Sequence, residues 1–212
     1  YQINLLIDMI LASTLPDGSI SYLYYSDRIN QLPLGVFGIA ISTALLPLLS
    51  EQIKRNKKQE SKKSISNAIK FSFIFSVPSA TGIFLLSNEI VSFLFERGAF
   101  DSLDSVLTSK SLVALSVGLP AFILIKILVV PFFANEDTKT PIYVSLVSML
   151  LNLILNLILI QKFLHVGLAI ATSVSAWVNA FILFYILENK KIVSFDRSIL
   201  IVILKVFVCS LL

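Results

Sequence analysis

SISYLYYSDRINQLPLGVFGIAISTALLPLLS, residues 19–50, holds only two charged side chains, Asp27 and Arg28, which stand next to each other. A helix that crosses a membrane needs about 20 mostly apolar residues. This run exceeds that, and Pro33, Gly35 and Gly38 interrupt it without making it polar. Proline and glycine are tolerated inside spanning helices where neighbouring groups re-satisfy the freed backbone. The stretch therefore reads as a long spanning element with a loosened middle and a guanidinium inside it. An arginine at the centre of a lipid-facing helix costs about 2.5–3.5 kcal/mol on an insertion scale. Such a charge needs a reason.

The rest of the chain extends this reading. Hydrophobic residues make up 56% of the sequence and charged residues 14%, against about 25% charged in a soluble domain. The mean hydropathy is +0.88. A soluble core cannot hide that much apolar helix, so the expectation is an all-α, polytopic membrane helix bundle. Cys209 is the single cysteine, which rules out a disulfide framework and a thiolate metal cluster. The net charge of +4 does not point to nucleic acid, because the positive residues sit in the breaks between apolar runs. No signal peptide is visible, and the chain opens and closes inside apolar stretches, as expected of an internal fragment of a longer protein.

Seven segments are predicted, with the first and last incomplete. They cover 1–13, 19–50, 64–87, 106–133, 142–161, 167–187 and 198–212. Between them lie the turn TLPDG (14–18), the basic connection 51–63, the amphipathic stretch 88–105, the polar turn 134–141, the joint QKFLHV (161–166) and the loop 188–197. Gly118-Leu119-Pro120 is read as a kink. One set of alternate loops (51–63, 134–141, 188–197) carries ten Lys or Arg, and the opposite set with its helix edge carries three, Arg97, Lys110 and Lys162. The positive-inside rule then puts the first set in the cytoplasm.

Two readings of Arg28 stay open on the residues alone. It pairs with Asp27 or a neighbouring acid and only stabilises packing, or it lines a water-filled cavity. In the second reading its fixed fork of donors matches phosphate oxygens, and Tyr22, Tyr24 and Tyr25 offer hydroxyls or serve as an interfacial belt. The LPLGVFG behind it is either a gating element or a static kink.

YYSDRINQLPLGVFGIAISTALLPLLS, with FERGAF (95–100) and ANEDTKTP (134–141) in order and spacing, resembles the MviN/MurJ family, bacterial flippases of the lipid-linked peptidoglycan precursor. The resemblance covers the whole chain. It implies segments seven to thirteen of a fourteen-helix, alternating-access protein of the MOP superfamily in the cytoplasmic (inner) membrane. Residues 1–187 would then be the C-terminal six-helix lobe, and 188–212 a cytoplasmic loop with the start of a further helix. By the same resemblance Arg28 contacts the diphosphate of the lipid-linked disaccharide-peptide, and Asp27 orients Arg28 or contacts the gate. The implied partners are that precursor, membrane lipids and other cell-wall synthesis proteins.

A second constellation comprises Asp8, an acid in the otherwise uncharged NLLIDMILAS, Asn152 and Asn156 four apart on one helix face, and Thr172 in AIATSVSAW. These are hard oxygen donors of the kind a small alkali cation accepts. Asparagines also serve as hydrogen-bonding glue between membrane helices. The resemblance implies a sodium site here, with Leu168 supplying a backbone carbonyl. Asn156 departs from it, standing where some members carry a second acid. That leaves sodium, a proton on Asp8, or membrane potential alone as the driving force, and no organic cofactor is expected.

Lys126, Lys70 and Lys205 read as snorkelling or cavity-edge lysines. Glu96 and Arg97 are expected to pair locally. His165 stands alone in an outer loop, and Trp177 reads as packing. Neither a glycine-rich phosphate loop nor a Ser-His-acid set is present, so no enzyme is expected. Beside the flippase stand a cation-coupled small-molecule antiporter of the same superfamily and a non-transporting membrane scaffold for cell-wall assembly.

Overall fold

The computed structural model describes residues 2–193 and 197–211. Helices α1 (Gln2–Ala12) and α2 (Ser19–Pro33) come first. A π-helical turn, Leu34–Ile39, joins α2 to α3 (Ala40–Lys54) without a break. Then follow α4 (Lys58–Leu85), α5 (Ser87–Phe95), α6 (Ser102–Ala134), α7 (Lys139–Asn189) and α8 (Arg197–Leu211). Among the described residues, four helices are long and apolar enough to cross a membrane: Ser19–Lys54, Lys58–Leu85, Ser102–Ala134 and Lys139–Asn189.

The last of these, 51 residues long, would stretch roughly 75 Å if straight, more than twice the ~30 Å hydrocarbon thickness. It is a hairpin. Leu164 leaves helical geometry (φ 52°, ψ −133°) and folds the helix back on itself. Its two arms pack closely enough that a methyl group added at Gly167 would lie 2.6 Å from the Leu159 carbonyl oxygen. The predicted joint 161–166 therefore contracts to about one residue. His165 is buried beside it, its Nε2 3.2 Å from the Leu107 carbonyl.

Helix α6 is the central post. It packs against α2, α3, α4, α5 and α7, and it runs unbroken through Gly118-Leu119-Pro120. Lipid tails are as apolar as leucine, so helices in a membrane associate through close packing of small residues and interhelical hydrogen bonds. Gly118 shows why: a methyl group there would meet Ser173 Oγ at 2.6 Å and its Cα at 2.9 Å. Ser173 Oγ donates to the Ala114 carbonyl, and Trp177 Nε1 to that of Val117. Larger side chains fill the core around α6, where Ile65, Leu112, Leu119, Ile123 and Ile127 are fully buried.

Three boundaries differ from expectation. The connection 51–63 shrinks to Arg55–Lys57, because α3 continues to Lys54 and α4 starts at Lys58. Its charged residues support helix through i,i+4 and i,i+3 pairs, Glu51 with Arg55 and Lys57 with Glu60. The stretch 88–105 is two elements. Asp101 and Asp104 form a reciprocal capping box that starts α6 at Ser102. Glu96 and Arg97 do not pair with each other: Glu96 accepts from Ser92 and Ser105, while Arg97 donates to the Leu94 carbonyl. Of the predicted loop 188–197, residues 194–196 lie outside the described residues, as do Tyr1 and Leu212 and the side chain of Arg197.

Candidate functional site

A cavity of about 1070 Å³ lies among α1, α2, α3, α6 and α7. Asp8, Tyr24, Asp27, Arg28, Lys126 and Thr172 line it, set among apolar side chains. Its wall includes Leu34 at the start of the π-helical turn. That turn is braced from behind by Phe37, stacked on Phe75 of α4 at 4.7 Å.

Helical spacing arms the wall around Arg28. Tyr24, one turn before it, places its ring under the guanidinium, 4.7 Å from centroid to Cζ. Gln31 stands between the two charges. Its Nε2 donates to Asp27 Oδ2, and its Oε1 lies 3.5 Å from Arg28 Nη1. Asp27 thus reaches Arg28 through Gln31. Reading the sequence missed Gln31, although its i,i+4 and i,i+3 spacing to the pair was visible. Of the three tyrosines, only Tyr24 lines the cavity. Tyr22 donates to Asp104 at 2.7 Å, and Tyr25 packs on Phe95 and Phe100. Lys126, read from the sequence as a cavity-edge or snorkelling lysine, joins the same wall.

The second constellation converges. Asn156 Nδ2 donates to Asp8 Oδ1 at 2.7 Å and to Asn152 Oδ1 at 3.1 Å. Thr172 Oγ1 lies 3.2 Å from Asp8 Oδ2 and 3.0 Å from the Leu168 carbonyl, and it accepts from Asn152 Nδ2 at 3.3 Å. These contacts join α1 to both arms of the α7 hairpin. Asn152 and Asn156 are fully buried, while Asp8, Leu168 and Thr172 also face the cavity.

In kind, this donor set fits a monovalent hard cation: one carboxylate, two amide oxygens, a hydroxyl and a backbone carbonyl. Asn156 Oδ1 is buried without a hydrogen-bond partner. A buried amide oxygen left in that state favours a cation or a donor. A single carboxylate does not suit a divalent ion. In the arrangement shown, the amide hydrogens of Asn156 face Asp8, so neutral donors meet its charge. No group of three or more His, Cys, Asp or Glu gathers among the described residues.

Away from the cavity, Asp137 closes the short turn 135–138. It accepts from the backbone and hydroxyl of Thr140 and from Lys190 Nζ at 2.7 Å. The hydrogen bond from Lys190, then those from Thr140, hold its carboxyl well below the usual carboxylate range.

The family model "Lipid II flippase MurJ" matches residues 1–212. The chain is 44% identical over 156 residues to a "Probable lipid II flippase MurJ" of Haemophilus influenzae, a match covering 70% of this chain and 30% of that protein. It is 38% identical over 210 residues to the protein of that name from Buchnera aphidicola, covering 99% of this chain and 41% of the other. A solved structure, "Lipid II flippase MurJ, inward closed conformation", superposes with a TM-score of 0.86 at 33% identity, covering 99% of this chain and 43% of that one. The chain thus spans less than half the length of these relatives.

Proposed function

The chain belongs to the lipid II flippase MurJ family, and from that premise we propose that it forms part of a flippase for a lipid-linked disaccharide-peptide diphosphate. One observation carries the reading: a span-embedded arginine faces a cavity large enough for a ligand instead of being buried in packing. Intramembrane charges that face a cavity mark substrate pathways.

In this mechanism the diphosphate enters the cavity and meets Arg28. The guanidinium donates two parallel N–H bonds to phosphate oxygens. Tyr24 holds its plane from below, and Gln31, anchored on Asp27, limits its swing. Arrival of the anion neutralises a charge that disfavours closing the cavity. The element 19–54 then bends at the π-helical turn, where ordinary i→i−4 bonding is already interrupted. The lipid tail stays in the bilayer throughout. The basic turn 55–57 and the turn 135–138, which Lys139 follows and Lys190 pairs with, face the cytoplasm of the bacterial inner membrane, as those basic side chains favour.

Asp8, Asn152, Asn156, Thr172 and the Leu168 carbonyl would hold a sodium ion. Bound there, the ion would couple its gradient to the cycle. Without it, the same side chains tie α1 to the α7 hairpin.

The test is growth rescue. The full-length parent protein is expressed in bacteria depleted of their own flippase. The wild type is expected to restore growth, and Arg28→Ala to fail at equal membrane abundance. A wild type that is inserted and stable yet does not rescue would overturn the flippase reading. An Arg28→Ala variant that rescues fully would remove Arg28 from the mechanism.

A further inference from the structure

Arg28 and Lys126 line one cavity but lie at different depths. Tyr22 bonds Asp104, and Gly38 lies against Ile123, so α2–α3 and α6 run side by side in the same direction. On that register Arg28 is level with Ser111, and Lys126 with Ile41. About 15 residues of helix therefore separate the two cations, roughly 22 Å along the axis. The π-helical turn Leu34–Ile39 lies between them. The Arg28 guanidinium lies over Tyr24, one turn further from Lys126, so a diphosphate held there is far shorter than the remaining gap.

Lys126 is exposed within a helix whose neighbours Ile123, Leu124, Ile127 and Leu128 are buried. Among the described residues it forms no ion pair with an acid. The cavity wall beside Lys126 and between it and Arg28 is hydroxyl- and amide-bearing, with Ser42, Thr43, Asn179 and, further towards Arg28, Ser175. Asn179 Oδ1 is a buried acceptor without a partner. The station thus offers a point positive charge, hydroxyls that donate or accept, and a vacant acceptor. An ammonium with rotatable donors suits a single carboxylate, whereas the planar fork of Arg28 suits adjoining phosphate oxygens.

Resting on the flippase reading, we propose that Lys126 is a second anion station that binds a carboxylate of the substrate's peptide while Arg28 holds the diphosphate. The cavity then measures its cargo by the distance between two anionic groups. Asn179 accepts a peptide N–H beside that carboxylate. A lipid diphosphate without a charged peptide occupies only the Arg28 end.

The test uses the purified full-length parent and two ligands with the same lipid, diphosphate, sugar and peptide. One ligand keeps its peptide carboxylates free, and the other has them amidated. Wild type is expected to bind the free form more tightly. Lys126→Gln should lose roughly tenfold affinity for the free form, the scale of one charge-assisted hydrogen bond, and none for the amidated form. Lys126→Arg should retain most of the preference, and Arg28→Ala should weaken both ligands. Equal loss for both ligands in Lys126→Gln would assign the lysine to phosphate and overturn the proposal. No loss for either would return it to solvation. A wild type that binds neither ligand sinks the flippase reading and this proposal together. Binding of both ligands with equal affinity, unaffected by Lys126, sinks this proposal alone.

Discussion

Two polar regions share the cavity, and they treat their charge in opposite ways. Around Asp8 the charge is partnered across helices: Asn156 and Thr172 reach it, Asn152 holds both, and three helical segments are tied together. Around Arg28 the charge is presented: Tyr24 and Gln31 restrain the guanidinium from its own helix and leave it facing open volume. An ion bonded by partners on neighbouring helices stabilises or couples. An ion steadied from behind is placed to bind something that arrives.

The largest effect expected from this contrast is at the presented charge. Arg28→Ala should lower affinity for a lipid diphosphate roughly 100-fold, the loss of a bidentate charge-assisted contact, measured by equilibrium binding. Arg28→Lys should recover only part of it, because an ammonium has no planar fork. Equal binding by Lys and Arg would reduce Arg28 to a diffuse charge.

Next comes the partnered charge. Asn156→Asp sets a second carboxylate where an amide now donates to Asp8. Without sodium it should lower the thermal midpoint, since like charges at hydrogen-bond distance repel. With sodium it should recover and exceed wild type, because the ion binds only the folded state. Melting curves in sodium against a large organic cation check this. A midpoint indifferent to both would mean that the cluster is packing alone.

Smaller still is the loss of support behind the arginine. Tyr24→Leu should cost about three- to fivefold in ligand affinity, the range of an exposed-to-partly-buried cation–π contact, without moving the thermal midpoint.

The smallest effect lies far from either region, at Asp137. Its folded carboxyl titrates below its ordinary range, so its contribution is full above that range and fades as pH falls through the folded value. Asp137→Asn should slightly lower the midpoint at neutral pH and leave it unchanged in strong acid. The pair is exposed, so the shift should be small and weaken with salt.

Much of this architecture was legible because a bilayer imposes length and polarity on every segment. The apolar runs, the loosened middle of 19–50 and the alternating basic turns follow from composition. The grouping of Asp8 with Asn152, Asn156 and Thr172 was suggested by their hard oxygen donors and by the family resemblance. What was hidden is tertiary. Gln31 looked like one more polar residue near an interface until Asp27 and Arg28 closed on it. Lys126 read as a snorkelling or cavity-edge lysine because only the register of α6 against α2–α3 shows which volume it faces. Helix ends at 51–63 were misjudged because charged residues read as solvated loop, while their i,i+4 and i,i+3 pairs support the helices.

The most direct test of the central claim is arrival of substrate at the outer face. In cells relying on the full-length parent protein, the lipid-linked precursor exposed outside is quantified with a membrane-impermeant label. With wild type, label should accumulate, and with Arg28→Ala it should fall to the level of cells lacking any flippase while precursor builds up inside. Normal outward exposure with Arg28→Ala, at matched protein abundance, would contradict the account.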